Sequence, residues 1–545
     1  MGFAVPTPIY GIAPITLIIA AFALPLLSVF IKSKRFYDVY ATVFAAFALY
    51  VATMIFIDVW RKGMPVVYPF GGWVPPLGIV YEIDLFGAFL GLVVASVMMM
   101  IVLYSVWYTE GIHGYEWYYT LLLGLEAGML GCIYTGDVFN LFVMLEVTSL
   151  SAYGLVAFYR GRAEAVEAAI KYAMLGAVAT TMYFLSTVFI YGSLQTLHIA
   201  DAVAKIALRA GFTPSGFIFG NPVAALAVAL GLALWAFTFK AAVFPNHFWL
   251  PDAHPEAPAP VSAALSGLVV KVGIYAIARF MYTLFCRDVA HALGMEWFRD
   301  ALLYVLMALG ALSAFVGAVM MSVQRDIKRL LAYSTVSHVG LVTMALALGF
   351  SGAPREATIL AITGAILHIL NHSVGKAMLF MSTGVAIKQL GTRDIDDLGG
   401  VGRRLPITGF ATMVGTMHLL GVPPFGGFVS KLLMYQAFLA AGMPLLAAFV
   451  VIVSAISVLG YARIVYSLVV QKRELPTELR EHPVPSFVLL TMSLACIAIF
   501  VACCCGGIDA LKKVTESLLD VGSYVESYFA LFAEMSKHIG WSAWG

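Results

Sequence analysis

Charge is scarce in this chain of 545 residues. Asp, Glu, Lys and Arg make up 11% of it, against 61% hydrophobic residues. A soluble domain carries about 25% charged residues, so a soluble fold is excluded and an integral membrane protein remains. Cysteine is scarce too. The six are Cys132, Cys286, Cys496, Cys503, Cys504 and Cys505, with no CxxC pair and no Cys/His spacing of metal-ligand type. That argues against an iron–sulfur cluster in this chain. The lack of CxxCH and of a dinucleotide fingerprint argues against haem attachment and nucleotide binding, so no cofactor is expected. The net charge of +2 is too small for a nucleic-acid surface. No basic stretch precedes the N-terminal apolar run, so this segment reads as a first span and not as a cleaved signal.

What the chain has is long apolar runs. Runs of about 20 residues suffice to cross a bilayer, and they fall near 9–31, 37–58, 84–107, 115–136, 137–159, 164–191, 222–257, 260–285, 299–322, 328–350, 357–387, 405–440, 443–470 and 485–503. This predicts an all-α polytopic membrane protein of about fourteen transmembrane helices. The seventh and twelfth runs are too long and are interrupted, by Pro245, Pro251 and Pro255 in one and by Gly421-Val422-Pro423-Pro424-Phe425-Gly426-Gly427 in the other. Proline removes a donor and clashes with the preceding turn. Paired broken helices point to transporter repeats with ion sites near the midplane.

With the N-terminus outside, loop Lys and Arg divide roughly 15 to 7 in favour of the cytoplasmic side, Lys205 and Arg209 being among the outer ones. The positive-inside rule therefore predicts an outer N-terminus. Segment 65–84 alternates turn residues and β-formers, which predicts an outer hairpin. In the tail, Leu511, Val514, Leu518, Val525 and Phe532 share one side, which predicts an amphipathic helix lying in the membrane interface.

Against this background, Lys240, Lys271, Lys376 and Lys431 stand inside apolar runs, as does Glu146. A charge at the bilayer centre costs about 3 kcal/mol on insertion scales. Glu146 needs a nearby cation or a wet cavity, and a Glu–Lys pair meets that need; a neutral acid joining two helices is the structural alternative. Lys240 closes a half-helix, whose C-terminus favours a cation, whereas Lys431 opens one, whose N-terminus disfavours it. Lys431 is accordingly expected to release its proton more readily than Lys240. Lys271 lies too near mid-span to snorkel. Lys376 follows His372 by four residues and His368 by eight, so the three share one helix face. Neutral histidine donates and accepts, which suits proton transfer. His338 and His418 are further intramembrane histidines, each open to a packing or a relay role. Asp137 and Glu126 sit near span ends, and Asp137 also reads as an N-cap. Lys171 is expected to pair with Glu167 at i,i+4.

Four segments carry a resemblance: FKAAVFPNHFWLPDAHPEAPAPVSAALSGLVVKVGIYAIAR (239–279), QRDIKRLLAYSTVSHVGLV (324–342), HILNHSVGKAMLF (368–380) and LLGVPPFGGFVSKLLM (419–434). The chain resembles, over about residues 65–440, the antiporter-like subunits shared by respiratory complex I, Mrp-type cation/proton antiporters and membrane-bound hydrogenases, and its WLPDAHPEAPAPVSA wording is most like the hydrogenase-type complexes. The resemblance implies fourteen core helices with two inverted five-helix repeats, about helices 4–8 and 9–13, and broken helices 7 and 12. It divides the chain into 1–114 (three helices and the outer hairpin), 115–285 and 299–470 (the repeats), and 471–545 (last helix and tail). It places the family's key glutamate on Glu146, paired with Lys240, its helix-8 lysine on Lys271, its terminal helix-12 residue on Lys431 and its helix-11 motif on His372 and Lys376. The tail after the last span departs from members with a long lateral helix and a further anchor.

The leading expectation is a proton-translocating subunit of a multisubunit redox-driven pump in the cell membrane. It would relay protons through Glu146, Lys240, Lys271, Lys431, His372, Lys376, His338 and His368, with other membrane subunits and a hydrophilic redox arm as partners and no redox chemistry of its own. The alternatives are a sodium/proton antiporter subunit, with Asp137, Glu126 and Thr148 as oxygen ligands for sodium, and a structural membrane scaffold.

Overall fold

The computed structural model describes residues 9–208, 220–475 and 478–539. Arg209, counted above among the outer cations, lies outside the described residues. The protein is built almost wholly of helices: α1 (Ile9–Phe30), α2 (Lys34–Lys62), α3 (Leu85–Tyr108), α4 (Tyr115–Tyr134), α5 (Val138–Val156), α6 (Ala163–Leu194), α7 (Pro222–Lys240), α8 (Trp249–Glu256), α9 (Ala259–Leu284), α10 (Glu296–Val323), α11 (Ile327–Leu346), α12 (Arg355–Leu390), α13 (Pro406–Leu420), α14 (Gly426–Ala440), α15 (Pro444–Val470), α16 (Pro483–Ala502), α17 (Ile508–Leu519) and α18 (Val521–Ile539). Eleven of the described helical segments are long and apolar enough to cross a membrane. The other three expected spans are helical as well, as α4, as α11 and as the pair α13 and α14. The chain is thus an all-α polytopic membrane protein. The predicted hairpin forms: β1 (Val66–Pro69) pairs antiparallel with β2 (Val80–Ile83).

Both predicted breaks occur, and each has a local cause. Helix α7 ends at Lys240 because Ala242 turns into the left-handed region (φ 56) and Pro245 follows. Side chains then satisfy the backbone groups that the break frees, as a membrane interior requires. The Phe244 N–H donates to Ser313 Oγ (3.2 Å), and Trp249 Nε1 donates to the Phe239 carbonyl (3.0 Å). At the second break, Gly421 adopts φ 82. A Cβ on Gly427 would sit 1.8 Å from the His418 carbonyl oxygen, so only glycine lets α14 start this close to α13.

Two helices occupy the centre. The most apolar window of α9 is wholly buried, and that of α12 mostly so. Helix α9 is interrupted by π turns at Leu265–Val269 and Phe280–Leu284, which bracket Lys271. Such turns often mark functional sites. Helices α10 and α11 pack backbone to backbone: a Cβ on Gly317 would lie 2.4 Å from the Ser337 nitrogen, and one on Gly340 would lie 2.3 Å from the Ala314 nitrogen. Small residues at such contacts allow the van der Waals packing that joins helices in lipid.

The tail departs from expectation. It is amphipathic, but Leu511, Val514, Leu518 and Val525 are buried against protein. Helix α17 packs on α3 and α12, and α18 reaches β1. Thr515 and Thr363 share a hydroxyl hydrogen bond of 2.9 Å, and the Leu85 N–H donates to Ser517 Oγ (3.1 Å). The spacing of apolar residues revealed a one-sided helix but not whether lipid or protein covers that side.

Candidate functional site

The first station lies at the end of α7. Lys240 is 5% exposed and donates to Ser149 Oγ at 2.5 Å. Glu146 stands three residues before Ser149, so the two share a face of α5. Its Oε1 is buried without a hydrogen-bond partner. The expected Glu146–Lys240 contact is therefore not a direct one: no ion pair within 4.0 Å joins them, and the Ser149 hydroxyl holds the lysine instead. The Tyr153 ring lies 6.0 Å from the Lys240 nitrogen and supplies a further cation–π contact.

The second station joins the two central helices. Lys271 Nζ lies 2.8 Å from the Ser266 carbonyl and 2.5 Å from His372 Nδ1. The other His372 nitrogen is buried without a partner. The rings of His372 and His338 are 5.1 Å apart, centre to centre. Lys271, His372, His338 and apolar residues line a cavity of about 10 Å³ beside them, about the space that one water centre requires.

From His338 the hydrogen bonds run two ways. Its Nδ1 meets His368 Nε2 at 2.9 Å, and His368 Nδ1 meets Ser430 Oγ at 2.9 Å, on the half-helix that bears Lys431. Its Nε2 meets the Tyr461 hydroxyl at 2.9 Å, which is hydrogen-bonded to Ser334. Ser334 Oγ accepts from Lys376 at 2.5 Å. Helices α11, α12, α14 and α15 thus contribute to one connected set of neutral donor–acceptor groups ending on a lysine. Each neutral imidazole can take a proton on one nitrogen and release one from the other.

Lys431 stands beside the second break. Its ammonium donates to the Leu420 carbonyl at 3.0 Å, and Leu420 is the last residue of α13. The free carbonyls of one half-helix therefore hold a cation carried on the next, which offsets the unfavourable end of its own helix. His418 Nε2 meets the Asn371 carbonyl at 3.0 Å and packs beside Phe425. Its ring bridges the second break to α12 and stands apart from the His338–His368 chain. Among the described residues, none of the four lysines lies within ion-pair distance of a carboxylate.

The three candidate sodium ligands serve separate ends. Asp137 caps α5, its Oδ1 accepting from the Asn140 N–H at 2.6 Å. The Thr148 hydroxyl donates to the Met144 carbonyl at 2.9 Å. The Glu126 carboxyl is fully buried with neither oxygen hydrogen-bonded. Among the described residues, no hydrogen bond joins the three, and no group of three or more His, Cys, Asp or Glu is placed to hold a metal ion. Lys171 pairs with Glu167 as expected, at 2.6 Å.

Sequence reasoning missed Ser149, Ser334, Tyr461 and Ser430, because a hydroxyl in an apolar helix is an ordinary packing residue until its neighbour is known. It also missed the ion pair on the hairpin side. Arg279 grips Asp84 with two bonds of 2.8 Å, at 1% and 0% side-chain exposure. Its signals were Asp84 at the start of one predicted span and Arg279 six residues before the end of another.

Residues 135–457 match the model of a family described as NADH:quinone oxidoreductase/Mrp antiporter, TM. The chain is 33% identical to an NADH-quinone oxidoreductase subunit N of Desulforudis audaxviator over 426 residues, 78% of this chain and 79% of that one. It is 32% identical to an Na(+)/H(+) antiporter subunit of Alkalihalophilus pseudofirmus over 397 residues, 72% of this chain and 73% of that one. Its fold matches a chain in the structure of the membrane-bound sulfane sulfur reductase, an archaeal respiratory membrane complex, with a TM-score of 0.84 and 29% identity over 96% of this chain and 100% of that chain. The match covers both broken helices and every lysine station described above, and the chain belongs to the NADH:quinone oxidoreductase/Mrp antiporter transmembrane family.

Proposed function

We propose that this chain is the proton-translocating, antiporter-like membrane subunit of a multisubunit redox-driven ion pump. One observation carries the reading most: the connected run from Ser430 through His368, His338, Tyr461 and Ser334 to Lys376, with Lys271 and His372 against its side. Neutral relays between buried lysines move a proton without an ion pair having to break. Glu146 acts on Lys240 through its charge, Lys271 passes to the histidines, and Lys431 exchanges with one face. The two breaks belong to two inverted repeats, 115–285 and 299–470. Other membrane subunits and a hydrophilic redox arm are the partners, in keeping with the respiratory complexes named for its relatives. The chain resides in the cell membrane with its N-terminus and hairpin outside, as the distribution of loop cations supports.

The test is redox-driven proton uptake in sodium-free membrane vesicles carrying Lys240→Ala or Lys271→Ala. A fall in uptake of about tenfold or more is expected. Uptake at the unmodified rate overturns the relay.

A second reading, a sodium/proton antiporter subunit, is favoured by the 32% identity to the Alkalihalophilus pseudofirmus antiporter chain. Replacing sodium by an impermeant cation separates the two: the pump keeps its proton flux, and the antiporter loses it.

A further inference from the structure

The hairpin face holds a second set of buried titratable groups that the relay does not use. Glu82, on β2, is 1% exposed, and neither carboxyl oxygen has a hydrogen-bond partner. Its one cationic neighbour is already engaged: Arg279 spends its fork on Asp84 and its remaining donors on Tyr275 and Thr283. Behind the acid lies the tail helix. A Cβ on Gly136 would meet Glu82 Oε2 at 3.0 Å and the Tyr524 hydroxyl at 3.4 Å, so Gly136 leaves the space in which the two face each other. The Tyr524 and Tyr528 hydroxyls are likewise buried without a partner.

The residue after Gly136 leads to solvent. Asp137 lines an open cavity of about 320 Å³ with Gly78, Tyr191 and Thr196. One of its oxygens caps α5 and the other lies 3.9 Å from His198 Nε2. His198 is 2% exposed, its Nδ1 has no partner, and its ring lies 5.5 Å from that of Tyr528. The further acid near it, Asp201, is paired with Lys205 at 3.0 Å. Tyr528 lies within electrostatic reach of Asp201, Glu82 and Asp137.

We propose that this cluster is a proton-exchange site on the hairpin face, with Asp137 and His198 as its mouth, Glu82 as its resident proton acceptor and α18 as its cover. The proposal rests on the proton-relay reading above. A proton from water in the cavity binds the Asp137 carboxylate, and His198 Nε2 takes it. His198 Nδ1 gives up its own proton toward the Tyr528 hydroxyl, and one proton arrives on Glu82. No bond other than those to the proton changes. Burial supports this assignment of roles. It pushes the Glu82 carboxyl well above the usual carboxylate range, against the pull of Arg279 and with help from Asp84. It holds the His198 imidazole below its ordinary value, against the pull of Asp137 and Asp201.

The full chain in lipid nanodiscs tests this by infrared titration, with protons as the only probe. In the difference spectrum between the unmodified protein and Glu82→Gln, which cancels the band of the buried Glu126 carboxyl, a protonated-carboxyl band is expected that disappears as the pH rises above the ordinary carboxylate range. His198→Gln should slow its exchange with the medium about tenfold or more. Tyr524→Phe, which keeps the acid and removes its nearest hydroxyl, should shift the band and provides a readout if Glu82→Gln does not fold. A difference band that is missing, persists at every pH or ignores both other variants overturns the site. Transport in Lys271→Ala vesicles is read separately. Normal transport there fails the relay and leaves the band assignment standing, whereas lost transport with an unresponsive band fails the exchange site alone.

Discussion

Lys271 Nζ lies 2.5 Å from His372 Nδ1, although 101 residues separate them in the chain. The contact joins the wholly buried helix α9 to α12, and it is where the lysine stations meet the histidines. A hydrogen bond to a charged group contributes about 1.5–3 kcal/mol, which is roughly a tenfold to hundredfold effect on a rate that depends on it. Lys271→Ala and His372→Ala should each lower proton uptake by that factor. Because both act in one step, the double variant should be no slower than the slower single one. Multiplying effects in a vesicle assay would show that the two serve separate routes.

Ser149 is the next test. Ser149→Ala removes the one hydrogen-bond acceptor that the structure gives Lys240 and leaves a buried ammonium bare. Stability should fall by about 1–3 kcal/mol, and proton uptake with it. Ser149→Thr, which keeps the hydroxyl, should restore both. Thermal unfolding and vesicle uptake on the same preparations check this.

Gly273 lies where α9 crosses the end of α7. A Cβ there would meet the Ala241 nitrogen at 2.5 Å and the Phe237 oxygen at 2.8 Å, both of them backbone atoms. Overpacking of this kind costs about 1–3 kcal/mol. Gly273→Ala should therefore displace the Lys240 end of α7 and impair uptake more than stability. Equal uptake in Gly273→Ala and the unmodified chain would show that the close approach has no functional role.

Docking of α18 should have its maximum stability between two pH limits. The Glu82 carboxyl is raised in the folded state, so its contribution is fully present below the ordinary carboxylate value of 4.5 and is lost as pH rises through the raised one. The His198 imidazole is depressed, so its contribution is present above the ordinary value of 6.5 and is lost as pH falls through the depressed one. Hydrogen exchange of residues 521–537 against pH should show both limbs. Glu82→Gln should flatten the alkaline limb alone, and His198→Gln the acid limb alone.

Much of the site was legible because lipid penalises charge. Lys240, Lys271, Lys376, Lys431 and Glu146 stand out in apolar runs, and the helical period puts His368, His372 and Lys376 on one face. The hydroxyl links were not legible, since Ser149, Ser334, Ser430 and Tyr461 look like ordinary packing residues in a sequence. Glu82 was hidden for a different reason: it sits in a hairpin that reads as solvent-exposed, and the packing around Gly136 and the docked tail buries it.

The amino-acid sequence by itself determined the membrane class, the helical spans, the two breaks, the hairpin and the buried lysines. Each of these follows from local chemistry: apolar length, proline and glycine in the backbone, or the cost of a charge in hydrocarbon. The tertiary structure decided the partners. It put Ser149 rather than Glu146 on Lys240, set Lys431 against the end of the preceding half-helix, and covered the tail with protein rather than lipid. Contacts between residues a hundred positions apart depend on how helices pack, and no local pattern carries that information.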